Sequence, residues 1–256
     1  MAELKYLTFE NTDGVAKITL NRPKHNVLDI NMMKELNGKL EELTGDAALK
    51  CLVLQAEGPS WCAGVEVGDH KPDMVDEMIG TFNRIFELMD RLEVPTIAAV
   101  HGACLGGGME VAIACDIIIA SEKAVFGQPE IKLGFFPPYA AIRLPQLVGP
   151  SKSIEICTTG KRYTARQALT MGLVSHVADE NDFSGAVQEM IKEIGHCSPL
   201  IIRLNKRAVK SHLGMRFTDA LAGVSDLFLN TLMRTEDTLE GIQSFEEKRR
   251  AVWKNK

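Results

Sequence analysis

Features that would place this 256-residue chain in a membrane or an export pathway are missing from its sequence. No apolar run approaches the ~18 uninterrupted apolar residues of a membrane-spanning helix, so we expect no membrane partner. The opening Met-Ala-Glu-Leu-Lys-Tyr lacks the apolar segment of a secretory signal. A hydrophobic content of 45% and a charged content of 25% are typical of an ordinary globular protein.

Cysteine pairs and metal-ligand spacings are also lacking. The six cysteines, at positions 51, 62, 104, 115, 157 and 197, form no C-x-x-C pair, and most lie in apolar runs. They are expected to be reduced core residues, which indicates a cytoplasmic protein. The scattered histidines at 70, 101, 176, 196 and 212 show no ligand spacing, so we expect structural or exposed roles for them and no metal site.

The charge balance provides no basic surface for nucleic acid. The net charge is −5 and the isoelectric point is about 5.7, which disfavours a nucleic-acid partner. A dinucleotide site is also disfavoured, because the chain contains no G-x-G-x-x-G. Glu130 stands about 20 residues beyond the glycine triplet at 106–108, but it follows Pro129 in a turn rather than a strand.

Strand-like and helical patterns alternate over most of the chain. Residues 5–10 and 15–20 are joined by Asn11–Gly14, whose Asp-Gly is typical of a tight hairpin. Irregular ββα units up to about residue 180 indicate an α/β fold, and from Phe183 the pattern is helical only. Further strands are predicted at 49–55, 95–100, 116–121, 124–127 and 173–177, and helices at 32–43, 72–92, 140–148, 151–158 and 165–171.

The most informative stretch is His101–Asp116. A buried strand leads to Gly106-Gly-Gly108, and a helix rich in small residues follows, with Glu110 in its first turn. Glycines let backbone N–H groups approach a ligand, and a helix N-terminus adds unpaired donors and a partial positive charge. The stretch could stabilise a developing oxyanion beside an acid or base. It could equally be a close-packed strand-to-helix turn.

Three segments together carry a family resemblance. They are Trp61-Cys-Ala-Gly-Val-Glu66, the Gly-Gly-Gly-Met-Glu110 joint and Phe126-Gly-Gln-Pro-Glu-Ile-Lys-Leu-Gly134, and each follows a strand-like run. In this order and spacing they resemble the enoyl-CoA hydratase/isomerase family, also called the crotonase family. The resemblance extends over nearly the whole chain.

The resemblance implies a crotonase-like spiral of ββα units with a helical C-terminal region that builds trimers, often stacked as hexamers. We assign residues 1–192 to the spiral core with the acyl-CoA site and 193–256 to the helical region. The resemblance also implies an oxyanion hole of two backbone N–H groups, which fall on Val65 and Gly107 here. A main-chain N–H can donate whatever its side chain is, so valine at 65 is acceptable.

The carboxylates indicate the reaction. Hydratases of this family carry two glutamates, which match Glu110 and Glu130. Addition of water to an unsaturated thioester needs a base toward water and an acid toward C2, and two carboxyl groups can supply both. The expected activity is therefore that of an enoyl-CoA hydratase, a hydro-lyase, with Glu110 as base and Glu130 as acid. Without the family pattern, Glu130 would be interpreted as a surface residue in a Pro-Glu turn.

The resemblance also implies contacts with coenzyme A. Lys24 and His25 would lie near the pantetheine and phosphate entrance, and the backbone around Ala63 and Val67 would line the adenine pocket. Phe245 and Lys248 would reach the CoA of a neighbouring subunit. Both lysines could instead be ordinary solvated residues. A separate cofactor is not expected, because coenzyme A is part of the substrate.

Two departures from the family pattern bear on the acyl group. Val65-Glu66 stands where the family has a small residue and aspartate, and Phe135–Ala141 replaces a glycine-rich turn. Prolines stiffen this turn, and we expect Phe136 and Tyr139 to shape the acyl pocket. A cyclic dienoyl-CoA substrate is our hypothesis, since the Phe-Phe-Pro-Pro variant resembles hydratases of aromatic-compound degradation.

Other interpretations remain open at this stage. An isomerase could shift a double bond with one glutamate, and some relatives of this fold bind RNA or have lost activity. A helical stripe could wall the acyl pocket or simply pack in the core; it consists of Met78, Phe82, Ile85, Phe86 and Met89.

Overall fold

A computed structural model describes residues 4–256. Residues 1–3, part of the opening segment in which no secretory signal is expected, lie outside the described residues. Residues 4–256 contain the strands β1 (Leu7–Thr12), β2 (Val15–Leu20), β3 (Cys51–Ala56), β4 (Thr96–Val100), β5 (Ala103–Leu105), β6 (Ile117–Ser121), β7 (Val125–Gly127), β8 (Arg162–Thr164) and β9 (His176–Ala178). They also contain the helices α1 (Ile30–Leu43), α2 (Val75–Arg91), α3 (Gly107–Ala114), α4 (Pro138–Thr159), α5 (Ala165–Thr170), α6 (Phe183–Gly195), α7 (Pro199–Lys210), α8 (Phe217–Asn230) and α9 (Glu236–Glu246).

The larger sheet has six strands in the order β1-β2-β3-β4-β6-β9. Only β1 and β2 are antiparallel among its described strands, and Asp13 and Gly14 join them with φ values of 53° and 81°. These left-handed values at both positions are those of the hairpin turn that Asp-Gly favours. All five residues of β4 are buried, as expected for an apolar strand covered on both faces.

Three ββα units build the core and position the loops of interest. In each unit a strand of the larger sheet is followed by a short extended segment and then a helix: β3, residues 60–62 and α2; β4, β5 and α3; β6, β7 and α4. The short segments pair in parallel, through the Cys62–Cys104 bridge and the β5–β7 ladder. The loops after residues 62, 105 and 127 therefore leave the same edge side by side. The crotonase-like spiral is confirmed.

Apolar side chains cover both faces of the larger sheet. One face packs against α1 to α5 in the main core, in which Trp61, Phe82 and Phe126 are the largest fully or almost fully buried side chains. On the other face, Val53 and its neighbours on β4 and β6 pack against Val187 and Ile191 of α6. The site loops are thus fixed to a rigid, close-packed framework.

Helices alone make up the chain beyond β9, as predicted. Ser198 caps α7, and its hydroxyl bonds the buried carboxylate of Asp237 on α9. The same carboxylate accepts the N–H groups of Lys254 and Asn255 at 2.7 and 2.9 Å, which ties the C-terminal tail to α9. The domain boundary predicted between residues 192 and 193 falls inside α6, which ends at Gly195.

Three short elements differ from the sequence prediction. β5 and β8 were not predicted, because three-residue strands between turns are too short to show a period. The strand predicted at 173–177 is wrong in position, since β9 begins at His176. The N–H groups of Leu173 and Val174 both bond the carbonyl of Ala168, so they close the end of α5 instead of pairing in a sheet.

Two helices predicted at 140–148 and 151–158 form one element, α4, which is interrupted at Gly149. Its φ and ψ of 77° and 160° are non-helical, and Pro150 follows. Across residues 4–256, every helix is too short or too polar to cross a bilayer.

Candidate active site

A cavity of about 350 Å³ opens at the edge where the three site loops meet. Apolar side chains form most of its wall, and two carboxyl groups and one imidazole face it. The lining residues are Ala63, Gly64, Val65, Val67, His70, Val75, Met78, Ile79, Phe82, Gly106, Gly107, Glu110, Pro129, Glu130, Leu133, Gly134, Phe135, Phe136 and Pro138. All three segments singled out in the sequence contribute to it.

Glu110 lies in the first turns of α3, and its side chain is almost completely buried, with 2% of the residue exposed. Its Oε1 accepts the N–H groups of Tyr139 at 2.7 Å and Ala140 at 2.8 Å, which belong to the first turn of α4. Burial raises the pKa of Glu110 to about 7, although the two backbone N–H bonds favour its ionised form. The nearby charge of Glu130 is a further, smaller cause of this rise in pKa.

Glu130 approaches the cavity from a short 3-10 helix, Pro129–Leu133, and is half-buried. Burial raises its pKa to about 7 as well. Its Oε1 lies 2.7 Å from the place where a Cβ on Gly106 would stand, so the carboxyl group rests on the glycine triplet. It faces the cavity beside Glu110, which does not fit the alternative of a plain surface residue in a turn.

The side-chain amide of Gln128 contacts the carboxyl group of Glu130. Its side chain is completely buried, and with the amide nitrogen facing Glu130, Nε2 donates to Oε1 and Oε2 at 3.0 Å each. The same nitrogen lies 3.3 Å from the carbonyl oxygen of Gly106. The amide thus fixes the orientation of Glu130 relative to the glycine triplet.

Each glycine of the triplet is required for a different reason. Gly106 has φ of 54° and ψ of −134°, which L residues rarely adopt, and faces the Glu130 carboxyl group. A Cβ on Gly107 would lie 2.4 Å from Cγ2 of Val65 and 3.1 Å from Cζ of Phe82. A Cβ on Gly108 would lie 2.4 Å from the carbonyl oxygen of Cys62. The triplet therefore lets α3 begin in contact with the loop of residues 62–65.

Two backbone N–H groups lie at this contact, those of Val65 and Gly107. The nitrogen of Val65 lies 3.4 Å from the Cβ position of Gly107. The N–H of Leu28 donates to the carbonyl oxygen of Gly64, and the carbonyl oxygen of Leu28 accepts the N–H of Glu66. This β-bridge does not use the N–H of Val65. Gly107 is the first residue of α3, where a helix has no internal acceptor for its N–H. The pair can therefore donate to an oxygen placed in the cavity.

The model of the family described as enoyl-CoA hydratase/isomerase matches residues 10–256. The chain belongs to the enoyl-CoA hydratase/isomerase family. The resemblance found in the sequence is confirmed, and the predicted enzyme class, an enoyl-CoA hydratase-type hydro-lyase, agrees with the names of its relatives.

Relatives with known names are similar in sequence to nearly the full length of this chain. It is 34% identical to the short-chain-enoyl-CoA hydratase of Clostridium acetobutylicum, covering 97% of each chain. It is 33% identical to the cyclohexa-1,5-dienecarbonyl-CoA hydratase of Thauera aromatica, covering 96% of this chain and 95% of the relative. The crystal structure of an enoyl-CoA hydratase from Bacillus anthracis superposes with a TM-score of 0.93 at 29% identity, covering 98% of this chain and all of that one.

The residues assigned to coenzyme A lie in two places. Lys24 and His25 are exposed, and the carbonyl oxygen of His25 accepts the N–H of Ala63 at 2.9 Å. Ala63 and Val67 line the cavity itself. This loop therefore borders the site, and its CoA contacts stay a prediction.

Phe245 and Lys248 lie at the end of α9 and are both exposed, Phe245 to 84%. Neither lines the cavity of its own chain. Their contact with the CoA of a neighbouring subunit stays a prediction.

The Tyr139 ring lies beside the cavity, against α2. Phe136 lines the cavity, but the Tyr139 ring stacks on Phe86 of α2, with ring centroids 3.8 Å apart and planes at 5°. Its backbone N–H points to Glu110 because Tyr139 is in the first turn of α4. Its side chain therefore packs against α2, and a contact of Tyr139 with the acyl group stays a prediction.

The helical stripe of α2 packs in the core, and two of its residues also line the cavity. Met78 and Phe82 line the cavity, whereas Ile85, Phe86 and Met89 are buried in the core away from it. Core packing is therefore confirmed for the stripe, and a contact of Met78 and Phe82 with the acyl group stays a prediction.

Two site residues were missed at the sequence level. Gln128 belongs to the Phe126–Gly134 segment, but no role was assigned to its side chain. His70 lines the cavity, with Nδ1 3.0 Å from the carbonyl oxygen of Glu66 and its ring 4.9 Å from that of Phe135. A lone histidine without ligand spacing provides little signal, and only the fold places it opposite Phe135.

Proposed function

We propose that this protein is an enoyl-CoA hydratase that adds water across the double bond of an α,β-unsaturated acyl-CoA thioester. One observation carries the proposal: Glu110 and Glu130, both with pKa values raised to about 7, face one cavity beside the N–H groups of Val65 and Gly107. Carboxyl groups with pKa values near the working pH can both accept and donate protons. Coenzyme A enters as part of the substrate, and the reaction requires no other cofactor.

The N–H groups of Val65 and Gly107 would hold the thioester carbonyl oxygen. Negative charge grows on this oxygen as water adds, and fixed donors stabilise it most in the transition state. Loss of one such donor typically costs about 3–4 kcal/mol of transition-state stabilisation. The apolar wall around them keeps bulk water away, which strengthens both hydrogen bonds.

Glu110 and Glu130 would divide the proton transfers. The ionised Glu110 takes a proton from water as the water oxygen bonds C3, and the π electrons move toward the thioester to give an enolate. The protonated Glu130 then delivers its proton to C2. Glu110 ends protonated and Glu130 ionised, and exchange with solvent restores the starting state. Such positioned transfers contribute roughly 10²–10⁴-fold each.

Incubation with 2-enoyl-CoA and 3-enoyl-CoA tests the reaction. We expect the 2-enoyl thioester to give a 3-hydroxyacyl-CoA, measured by loss of the enoyl absorbance and by mass spectrometry. Conversion of 3-enoyl-CoA to 2-enoyl-CoA without hydration would indicate an isomerase and contradict the proposal. Binding of RNA that weakens with salt, without turnover of either thioester, would indicate a non-catalytic relative.

For the acyl group we favour a cyclic dienoyl thioester. Rings of Phe82, Phe135 and Phe136 line the cavity, and flat apolar walls suit a planar unsaturated ring. The short-chain and the cyclic-dienoyl relatives are about equally similar to this chain, so relative rates decide. We expect a higher kcat/KM on cyclohexa-1,5-diene-1-carbonyl-CoA than on crotonyl-CoA, and a strong preference for crotonyl-CoA would reject this choice.

We further propose a cytoplasmic homotrimer, or a hexamer of two trimers, built through residues 193–256. Every side chain of α8 is at least partly exposed, and several large apolar ones are mostly so, among them Phe217 at 78% and Leu229 at 62%. Apolar surface of this extent is typical of an interface. Light scattering after gel filtration should give three or six times 28.2 kDa, and a monomer would contradict the proposal.

A further inference from the structure

The rings of Tyr139, Phe86 and Phe82 contact one another in series where α4 meets α2, and we call them the aromatic column. Tyr139 stacks on Phe86 at 3.8 Å and 5°, and Phe86 meets Phe82 edge to face at 4.8 Å and 78°. Phe86 and Phe82 are 7% and 2% exposed. The column therefore connects the first turn of α4 to the interior of α2.

Both ends of this column touch groups of the proposed mechanism. At one end, the backbone N–H of Tyr139 donates to Glu110 at 2.7 Å, with that of Ala140 beside it. At the other end, Cζ of Phe82 lies 3.1 Å from the Cβ position of Gly107. Movement of the rings would thus disturb both the donors on Glu110 and the start of α3.

The segment before Tyr139 is mostly exposed, although the Phe135 ring lies against that of His70. Residues 131–136 are all exposed, and Pro137 is the first buried residue after them. Pro138 begins α4, and the ring of the next residue, Tyr139, stacks on Phe86 of α2. The stack on Phe86 therefore holds the turn that carries the two N–H donors.

We propose that Tyr139 is a positioning residue that acts through Phe86: the stacked rings hold the first turn of α4 against α2 and keep its two N–H groups on Glu110. This inference rests on the proposed hydration reaction. Loss of the stack lets the turn move, so the ionised form of Glu110 loses hydrogen bonds. The charge of Glu130 also raises the pKa of Glu110, and the two carboxyl groups in turn raise the pKa of the Cys157 thiol; the stack adds no charge to this group.

Kinetics of the full chain test the inference with three variants. Tyr139→Leu and Phe86→Leu remove the stack, whereas Tyr139→Phe keeps both rings. We expect the first two to lower kcat about tenfold with KM nearly unchanged, and to shift the acidic limb of the pH profile up by about half a unit or more, because Glu110 must still ionise. Tyr139→Phe should keep the wild-type limb.

A structural role alone would have a different outcome. If the leucine variants only lower the melting temperature and leave the acidic limb in place, the proposal is overturned. A ¹³C NMR titration of labelled glutamate, assigned with Glu110→Gln, measures the pKa of Glu110 in wild type and Tyr139→Leu without turnover. An unchanged pKa there overturns the inference, and absence of hydration by the wild type rejects only the proposed function.

Discussion

With the amide nitrogen of Gln128 facing Glu130, its Nε2 lies 3.0 Å from both carboxylate oxygens of Glu130. The Gln128 side chain is completely buried. One amide nitrogen bridging two oxygens fixes the rotation of the carboxyl group as well as its position. The proposed acid therefore depends on a neighbour that never touches bulk water.

Replacement of Gln128 by methionine, which has similar volume and lacks the amide, should lower kcat about tenfold. The pKa of Glu130 should rise, because its ionised form loses two hydrogen bonds, so the alkaline limb of the pH profile should move up. Ser153→Ala, which removes a buried hydroxyl bonded to the Gly149 carbonyl on α4, is the control for loss of a buried polar group. Equal effects of the two substitutions would argue against a specific role for Gln128.

The two carboxyl groups should be separately required. Glu110→Gln and Glu130→Gln should each lower kcat by two or more orders of magnitude, because a neutral amide neither accepts nor delivers the proton. Calorimetric affinity for a saturated acyl-CoA should stay close to wild type, and Glu189→Gln, on the exposed face of α6, should behave as wild type throughout. Full turnover by either active-site variant would refute its assigned role.

The free energy of unfolding should depend on pH because the carboxyl group of Glu110 is buried. The pKa of Glu110 is about 7 in the folded protein, against an ordinary value of 4.5 for a solvated glutamate, so the folded state binds the proton more tightly. Stability is therefore lost as pH rises from about 4.5 to about 7. Glu110→Gln should raise the free energy of unfolding by about 1–3 kcal/mol at pH 8 and have little effect at pH 4, measured by urea unfolding. A gain confined to pH 4 would contradict the raised pKa.

Much of this arrangement could be predicted from local patterns. The hairpin at Asp13, the glycine joint and the three strand exits follow from turn chemistry and apolar runs, which act over a few residues. Family resemblance then paired Val65 with Gly107 and Glu110 with Glu130. These pairings depend on strands that lie side by side, and no period within one segment encodes them.

What the sequence did not predict depends on side-chain direction and on contacts between distant elements. Tyr139 was placed in the acyl pocket because it stands near Glu130 along the chain. Its place in the first turn of α4 directs its ring to Phe86. Gln128 and His70 acquire their roles from partners fixed by other loops, at Glu130 and Phe135.

The contact between Gly107 and Val65 allows a steric test of the oxyanion hole. Gly107→Ala should lower kcat by two orders of magnitude or more, because its Cβ would stand 2.4 Å from Cγ2 of Val65 and force the two N–H groups apart. Gly80→Ala, within α2 and with nothing within 4 Å of its Cβ, should leave the rate unchanged and is the matched control.

Rescue separates crowding from other effects of the added methyl group. The double variant Val65→Ala/Gly107→Ala removes Cγ2 and should recover part of the lost kcat, whereas Val65→Ala alone should retain most activity because the backbone donor remains. Steady-state kinetics of the four proteins would measure the coupling. If the double variant is no more active than Gly107→Ala, the contact with Val65 is not what limits this position.

His70 and Phe135 form one wall of the cavity. Their rings lie 4.9 Å apart at the cavity, and the Nδ1 contact with the Glu66 carbonyl fixes the imidazole. His70→Ala should free Phe135 and loosen the acyl pocket, raising KM several-fold while kcat changes little, since neither ring is assigned a proton transfer. His176→Ala, which alters an exposed histidine at the start of β9, is the control. A loss confined to kcat would place His70 in the chemistry instead of the wall.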